Sequence, residues 1–214
     1  LENQIKGTSK EHYLTEIRAV ITKCTFSYTR QIEMKGLGHA ILCGETLIGD
    51  QPFAVLLADD LCDAPGKGVL AQMVDLYKKY GCSIVAIEEI PKEDTNKYGV
   101  IAGNEIEPGI YMVKDMVEKP EPEVAPSNLA IIGRYILTPD IFNIIRETKP
   151  GKGGEIQITD ALLTQAKKGM VLAFKFEGQR FDCGSIDGFV KATNYFYDKE
   201  TKKEAAAKKA SGAK

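Results

Sequence analysis

Residues 53–90, FAVLLADDLCDAPGKGVLAQMVDLYKKYGCSIVAIEEI, change their apolar rhythm twice. FAVLLA is a continuous apolar run, so it reads as a strand covered on both faces, the mark of a parallel strand in an α/β sheet. From Val69 the rhythm turns helical, with Val69, Leu70, Met73, Val74, Leu76, Tyr77 and Tyr80 on one face and Gly81 as the stop. CSIVAIEEI is again a continuous apolar strand. Strand, helix and strand in that order predict a right-handed βαβ crossover, and hence an α/β fold.

Working outward, Leu14, Ile17, Val20 and Ile21 recur at helical spacing behind Ser9, a plausible N-cap. CTFSYTRQ (24–31) alternates like a strand, and KGLGHAILCGETL (35–47) reads as a glycine turn feeding a short helix. Beyond residue 90 come two hairpin-like strands around 98–120, a strand in NLAIIGRYIL (128–137), and helices near 139–147 and 159–168. VLAFKFEGQRFDCG (171–184) is a strand leading to a turn. SIDGFVKATNYFY (185–197) closes as a helix with Ile186, Phe189, Val190, Thr193 and Phe196 on one face. No internal repeat occurs. The expected organisation is one α/β domain over 1–198 with a mixed, mostly parallel central sheet flanked by helices. A Lys/Ala-rich tail follows at 199–214, read as a frayed helix or disordered.

With 214 residues, 43% hydrophobic and 27% charged, the chain has the means to bury a core. A net charge of −2 offers no basic surface for nucleic acid and no polybasic stretch for a membrane. The apolar runs are too short to span a bilayer, and no signal-peptide pattern opens the sequence. Five scattered cysteines (Cys24, Cys43, Cys62, Cys82, Cys183), never in a C-x-x-C pair, argue against a disulfide framework or a zinc site and for a reducing cytoplasm.

In open α/β sheets ligands bind outside the carboxyl ends of strands, so those ends show where chemistry can sit. The run after Ala58 ends in Asp59 and Asp60. A carboxylate there can hold Mg²⁺, which favours one or two carboxylates plus phosphate oxygens, or it can be a solvated turn. Gln31 carries a donor and an acceptor, as a nucleobase edge requires, or is a surface amide. Gly36 and Gly38 allow close backbone approach to a flat ring or phosphate, although a lone G-x-G is weak evidence. In MVEKPEPEVAPSNLAIIGRYIL (116–137), Glu118 and Lys119 stand side by side at a strand end. Strict alternation sends them to opposite faces, and Pro120 offers the local twist that brings both to one rim. There the carboxylate suits vicinal sugar hydroxyls and the ammonium a phosphate. Gly133 and Gly99 each remove a side chain where a ligand can approach, or mark a bulge. Asp182, in RFDCGS, reads either as a helix cap, a task open to Ser185 as well, or as a second carboxylate for the same metal.

Taken in order, RQIEMKGLGHAIL, PFAVLLADDL, KYGV, VEKPEPEVAPSNLAIIGRYIL, GKGGEIQITDAL and DCGSIDGFVKA resemble the bacterial UTP–glucose-1-phosphate uridylyltransferases of the sugar nucleotidyltransferase group. The resemblance runs from about residue 10 to residue 197. It implies a Rossmann-like nucleotidyltransferase fold and a Mg²⁺-dependent in-line attack of glucose 1-phosphate on UTP, giving UDP-glucose and pyrophosphate. It further implies Gln31 and the Gly36–Gly38 turn on the uracil, Asp59 and Asp182 on Mg²⁺, and Gly99, Glu118, Gly133 and Asn128 around glucose. Lys119 falls on the sugar phosphate, with Lys119, Asp59 and Asp182 as the catalytic set, in a cytoplasmic homo-oligomer.

Family members open with a strand, a G-x-G-T-R loop and a Pro-Lys-Glu segment, none of which occurs here. The expectation is therefore a chain lacking the first strands and much of the triphosphate site, turning over weakly or not at all. LAD in place of the family's LPD touches backbone stiffness only. Alternatives are a thymidylyl- or adenylyltransferase for another sugar 1-phosphate, a metal-dependent glycosyltransferase, and a non-catalytic sugar-phosphate-binding remnant.

Overall fold

In the computed structural model, which describes residues 2–211 and all their side chains except those of Glu16, Glu204 and 207–211, the chain divides into two units at Ile32. The first holds helices α1 (Glu2–Ile5) and α2 (Glu11–Lys23), with an ion pair between Arg18 and Glu2. Ser9 does not cap α2: Lys10 occupies that position without a side-chain cap bond. Of the expected apolar stripe only Leu14 is buried, and Ile17, Val20 and Ile21 are exposed. Residues 24–31, read as a strand, belong to no strand, since alternation needs a neighbouring edge to become a ladder. Gln31 lies in this unit.

The second unit is built on two strands that are buried on both faces along most of their length. In β3 (Ser83–Glu89), Val85 and Ile87 face one core while Ile84 and Ala86 face another. The same division holds in β6 (Leu129–Leu137), where Ile131, Tyr135 and Leu137 oppose Ile132 and Ile136. A period-2 chain buried on both faces must be apolar throughout. The first core is closed by α3 (Leu37–Leu42), α6 (Ile141–Glu147) and α7 (Ile158–Ala166), the second by α5 (Val69–Tyr80). Helix α5 buries Val69, Met73 and Leu76 and ends, as expected, at Gly81 with φ +64°. A short α4 (Glu45–Ile48) follows α3.

The six-stranded sheet runs β1-β6-β3-β7-β5-β4, with β1 at Phe53–Leu56, β4 at Gly99–Glu107, β5 at Ile110–Glu118 and β7 at Val171–Lys175. It is mixed, as expected, but not mostly parallel in its pairings. Among the described strands only β3 and β7 pair in parallel, and every other neighbour is antiparallel. The reason is β6, which inserts between β1 and β3, so the two strands of the expected crossover run the same way without touching. FAVL therefore pairs antiparallel to β6, and its residues alternate between half-buried and exposed instead of being covered on both faces.

A second, two-stranded ribbon pairs β2 (Asp60–Asp63) with β8 (Gln179–Asp182). Helix α8 (Ile186–Ser211) follows and takes in residues 199–211 of the expected tail; residues 212–214 lie outside the described residues. Its packed face is not the expected one. Ile186, Phe189 and Val190 are exposed, Ala192 is buried, and Tyr195 and Phe196 stack on Phe181 at ring separations of 4.8 and 5.7 Å. Among the described residues no helix is long and apolar enough to cross a membrane.

Candidate active site

Strand register gives three of the expected residues, Asp182, Gly99 and Glu118, their partners. In the ribbon Asp60 stands opposite Asp182, and in the β4–β5 hairpin Gly99 stands opposite Glu118. These elements, the middle of β6 and the first turn of α7 enclose a cavity of about 330 Å³. Asp59, Asp182, Gly99, Glu118, Lys119 and Gly133 all line it.

The corner that presents Asp59 is held from beneath by β6. Leu57 N–H donates to Gly133 O at 2.9 Å, and the buried Arg134 guanidinium donates to Gly133 O (2.8 Å), Leu57 O (3.1 Å) and Asp60 O. Asp60 itself turns inward, 5% exposed, accepting hydrogen bonds from Gly133 N–H and Arg180 Nε. Both of the paired aspartates line the cavity, but Asp60 is tied down by Gly133 and Arg180. The Asp59 carboxylate accepts no hydrogen bond and makes no ion pair with the described residues. Cys183 N–H donates to Asp59 O at 2.7 Å, tying the start of the ribbon to its end. Around Gly184, the site of a Cβ would lie 3.1 Å from Asp182 Oδ1 and 3.4 Å from Asp59 Oδ2, so the two carboxylates converge on one point.

Asp182 is not the cap of α8. Ser185 does that, its hydroxyl accepting from Gly188 N–H at 3.1 Å. Asp182 Oδ2 instead accepts from Tyr98 Oη (2.8 Å) and Arg180 (3.1 Å), and Oδ1 from Gly184 N–H (3.1 Å). Burial works against its charge, but the Tyr98 bond and the Arg180 charge outweigh burial and hold its carboxyl below the usual range. Arg180 is the hub. Its side chain is 8% exposed and meets Asp60, Asp182 and, at 3.6 Å, Glu88, with the Tyr98 ring 5.0 Å away. Neither Arg180 nor Tyr98 was expected from sequence, and the only available signal was a basic residue two positions before Asp182.

At the other wall, Lys119 has φ +47°, the one positive φ among the described non-glycine residues. That left-handed turn, costing about 1–2 kcal/mol, breaks the strand alternation and brings Lys119 to the rim beside Glu118. The expected twist is real but sits in Lys119 itself. Lys119 N–H donates to Tyr98 O (2.9 Å) and Lys152 Nζ to Lys119 O (2.7 Å), which fix the turn. Lys119 Nζ stands 3.7 Å from Glu118 Oε1, and Glu118 Oε2 accepts from Thr159 Oγ1 at 2.9 Å.

The glycines turn out to admit protein. A Cβ at Gly133 would lie 2.7 Å from both Asp60 Oδ2 and Leu57 Cβ, and one at Gly99 2.7 Å from Thr159 Cγ2. Gly36 and Gly38 pack against Glu155 and Ile156, with Gly38 N–H donating to Ile156 O at 2.9 Å, so of that turn only Leu37 reaches the cavity. Asn128 does not line it either: the residue is exposed, and its amide donates to Ile90 O at 3.2 Å.

Two carboxylates facing one cavity, one of them held ionised, form a donor set that fits a hard divalent cation completed by phosphate oxygens and water. The opposite wall offers an ammonium and a carboxylate at a spacing that suits a phosphorylated polyol.

Comparison with known proteins places the chain in a family. The family described as Nucleotidyl transferase matches residues 2–199. A UTP–glucose-1-phosphate uridylyltransferase of Pseudomonas aeruginosa is 68% identical over 199 residues, covering 92% of this chain and 71% of that protein. Its counterpart in Bacillus subtilis is 44% identical over 202 residues, covering 94% and 69%. A solved UDP-glucose pyrophosphorylase complexed with UDP-glucose superposes with a TM-score of 0.87 at 62% identity, covering 90% of this chain and 74% of that one. By the extent of these matches, the chain belongs to the nucleotidyl transferase family.

Proposed function

We propose that the protein is a UTP–glucose-1-phosphate uridylyltransferase, transferring a uridylyl group from UTP to glucose 1-phosphate with release of pyrophosphate. The observation that carries this reading is the meeting of Asp59 and Asp182 in one cavity with Glu118 and Lys119, in a chain 68% identical to a protein of that name. Asp59 and Asp182 hold Mg²⁺, which when bound neutralises charge on the reacting phosphates. The Glu118 carboxylate accepts hydrogen bonds from vicinal glucose hydroxyls, each charge-assisted bond contributing about 1.5–3 kcal/mol. Lys119 draws the sugar phosphate to the rim. A phosphate oxygen of the sugar then attacks the α-phosphorus of UTP as the bond to pyrophosphate breaks. No side chain is needed as a nucleophile: alignment alone contributes about 7–11 kcal/mol. Tyr98 and Arg180 keep Asp182 oriented and charged. Leu37, between Gly36 and Gly38, borders the cavity where the uracil lies. A cytoplasmic location agrees with five free thiols, and a homo-oligomer is part of the same reading.

The test follows pyrophosphate release by the full-length protein with UTP, dTTP or ATP against glucose 1-phosphate and its epimers, with Mg²⁺ and with EDTA. The expected result is turnover with UTP, glucose 1-phosphate and Mg²⁺, lost in EDTA. Faster turnover with dTTP or ATP would reassign the nucleotide. Transfer from UDP-glucose to an acceptor without pyrophosphate exchange would make the protein a glycosyltransferase.

A further inference from the structure

Thr159 stands on the first turn of α7, 3% exposed, with its two Cβ branches committed to opposite neighbours. Its hydroxyl donates to Glu118 Oε2 at 2.9 Å. Its methyl fills the space beside Gly99, 2.7 Å from where a Cβ on that glycine would be. Gly99 and Glu118 are paired residues of the β4–β5 hairpin, so one threonine grips both strands at the mouth of the cavity. Glu118 has one further charged neighbour, Lys119, at 3.7 Å from its other oxygen, and the Lys119 side chain is largely exposed. Nothing but Thr159 fixes the rotation of this carboxylate among the bonds the described residues make.

We infer that Thr159 is a positioning residue for hexose 1-phosphate selection: it orients the Glu118 carboxylate so that Oε1 meets the sugar hydroxyls, and Gly99 lacks a side chain so that Thr159 can reach. The inference rests on the sugar role proposed for Glu118. A β-branched residue has stiff χ1 preferences, and here one rotamer serves both contacts. A free carboxylate would sample several rotations and meet two vicinal hydroxyls only part of the time, raising the concentration of sugar phosphate needed while leaving nucleotide binding alone.

The experiment compares Thr159→Val, Thr159→Ser and Glu118→Gln in the full-length protein, measuring KM for glucose 1-phosphate, KM for UTP, kcat and Tm. Valine keeps the shape and loses the donor, whereas serine keeps the donor and loses the methyl. The expected result is a rise of about tenfold or more in KM for glucose 1-phosphate in Thr159→Val, matching one charge-assisted hydrogen bond. KM for UTP should stay unchanged, and Thr159→Ser should stay within about threefold of wild type despite a lower Tm. An unchanged sugar-phosphate KM in Thr159→Val, beside a raised one in Glu118→Gln, overturns the positioning role and leaves the sugar site standing. An unchanged KM in Glu118→Gln removes the sugar site and this inference together. Equal rises in the valine and serine variants reduce Thr159 to packing and also overturn it.

Discussion

Single side chains at the cavity divide into those aimed at it and those that aim others. Asp59 and Asp182 belong to the first kind, so Asp59→Asn and Asp182→Asn should each lower Mg²⁺-dependent turnover by at least about a hundredfold with little change in Tm, as pyrophosphate release and thermal unfolding will read. Wild-type turnover in Asp182→Asn would take that residue out of the site. Gly133 belongs to the second kind. Its missing side chain leaves room for Asp60 and Leu57, so Gly133→Ala must push the Asp59–Asp60 corner outward. The expected loss is about 1–3 kcal/mol of stability by urea denaturation, since Leu57 Cβ cannot swing away and the Asp60 carboxylate is held by Gly133 N–H and Arg180. The sequence shows that Gly133 is small but not what comes close to it. The same holds for Gly36, Gly38 and Gly99: each reads equally well as room for ligand or room for protein until its neighbour is known.

Elements explain why so few residues suffice. The β2–β8 ribbon places Asp60 opposite Asp182, and Arg180 inside it neutralises carboxylates that would otherwise repel. Arg180→Met should lower stability by about 3–5 kcal/mol, because Asp60 is left charged and buried without its partner. A shifted thermal midpoint together with reduced turnover would show it, and an unchanged midpoint would deny Arg180 that role. Farther along, Tyr195 Oη (2.7 Å) and Lys199 Nζ (2.5 Å) both donate to Asp63, anchoring α8 to the ribbon. The bonds from Lys199 and then Tyr195 hold the Asp63 carboxyl below its usual value. Stability from a depressed carboxyl is present above the ordinary carboxylate pKa and lost as pH falls through the lowered one. Asp63→Asn should therefore lower the amide-exchange protection of α8 from Tyr195 onward at neutral pH, and acidification of the wild type below the carboxylate range should lower protection, relative to the intrinsic rate at each pH, in the same way. Identical exchange in the variant would mean that α8 stands without this anchor.

At the scale of the molecule, all five cysteines are free thiols, and burial pushes Cys62 and Cys82 up and keeps them neutral. The thermal midpoint should accordingly be the same with and without reductant; a drop on reduction would reveal a cross-link. The α/β class, the helix ending at Gly81, the hairpin and the doubly buried strand at 83–89 were legible because period and stop residues are local properties of a chain. That Glu118, Lys119, Asp59 and Asp182 line one cavity was anticipated only through the ordered set of motifs, since each residue alone reads equally well as a solvated strand end. The strand read at 24–31, the parallel setting of residues 53–56 and most of the apolar face assigned to α8 were misread, since each depends on which neighbour a segment meets. Arg180, Tyr98 and Thr159 were not singled out from the sequence, because their importance lies in partners 2 to 120 positions away. By itself the amino-acid order determined which segments become strands and helices and which side chains carry charge. Only the tertiary structure decided that β6 separates β1 from β3, that Gly133 and Arg180 hold Asp60, and that Thr159 bonds to Glu118. Those choices belong to long-range packing, where contact energies act between residues that the order of the chain keeps apart.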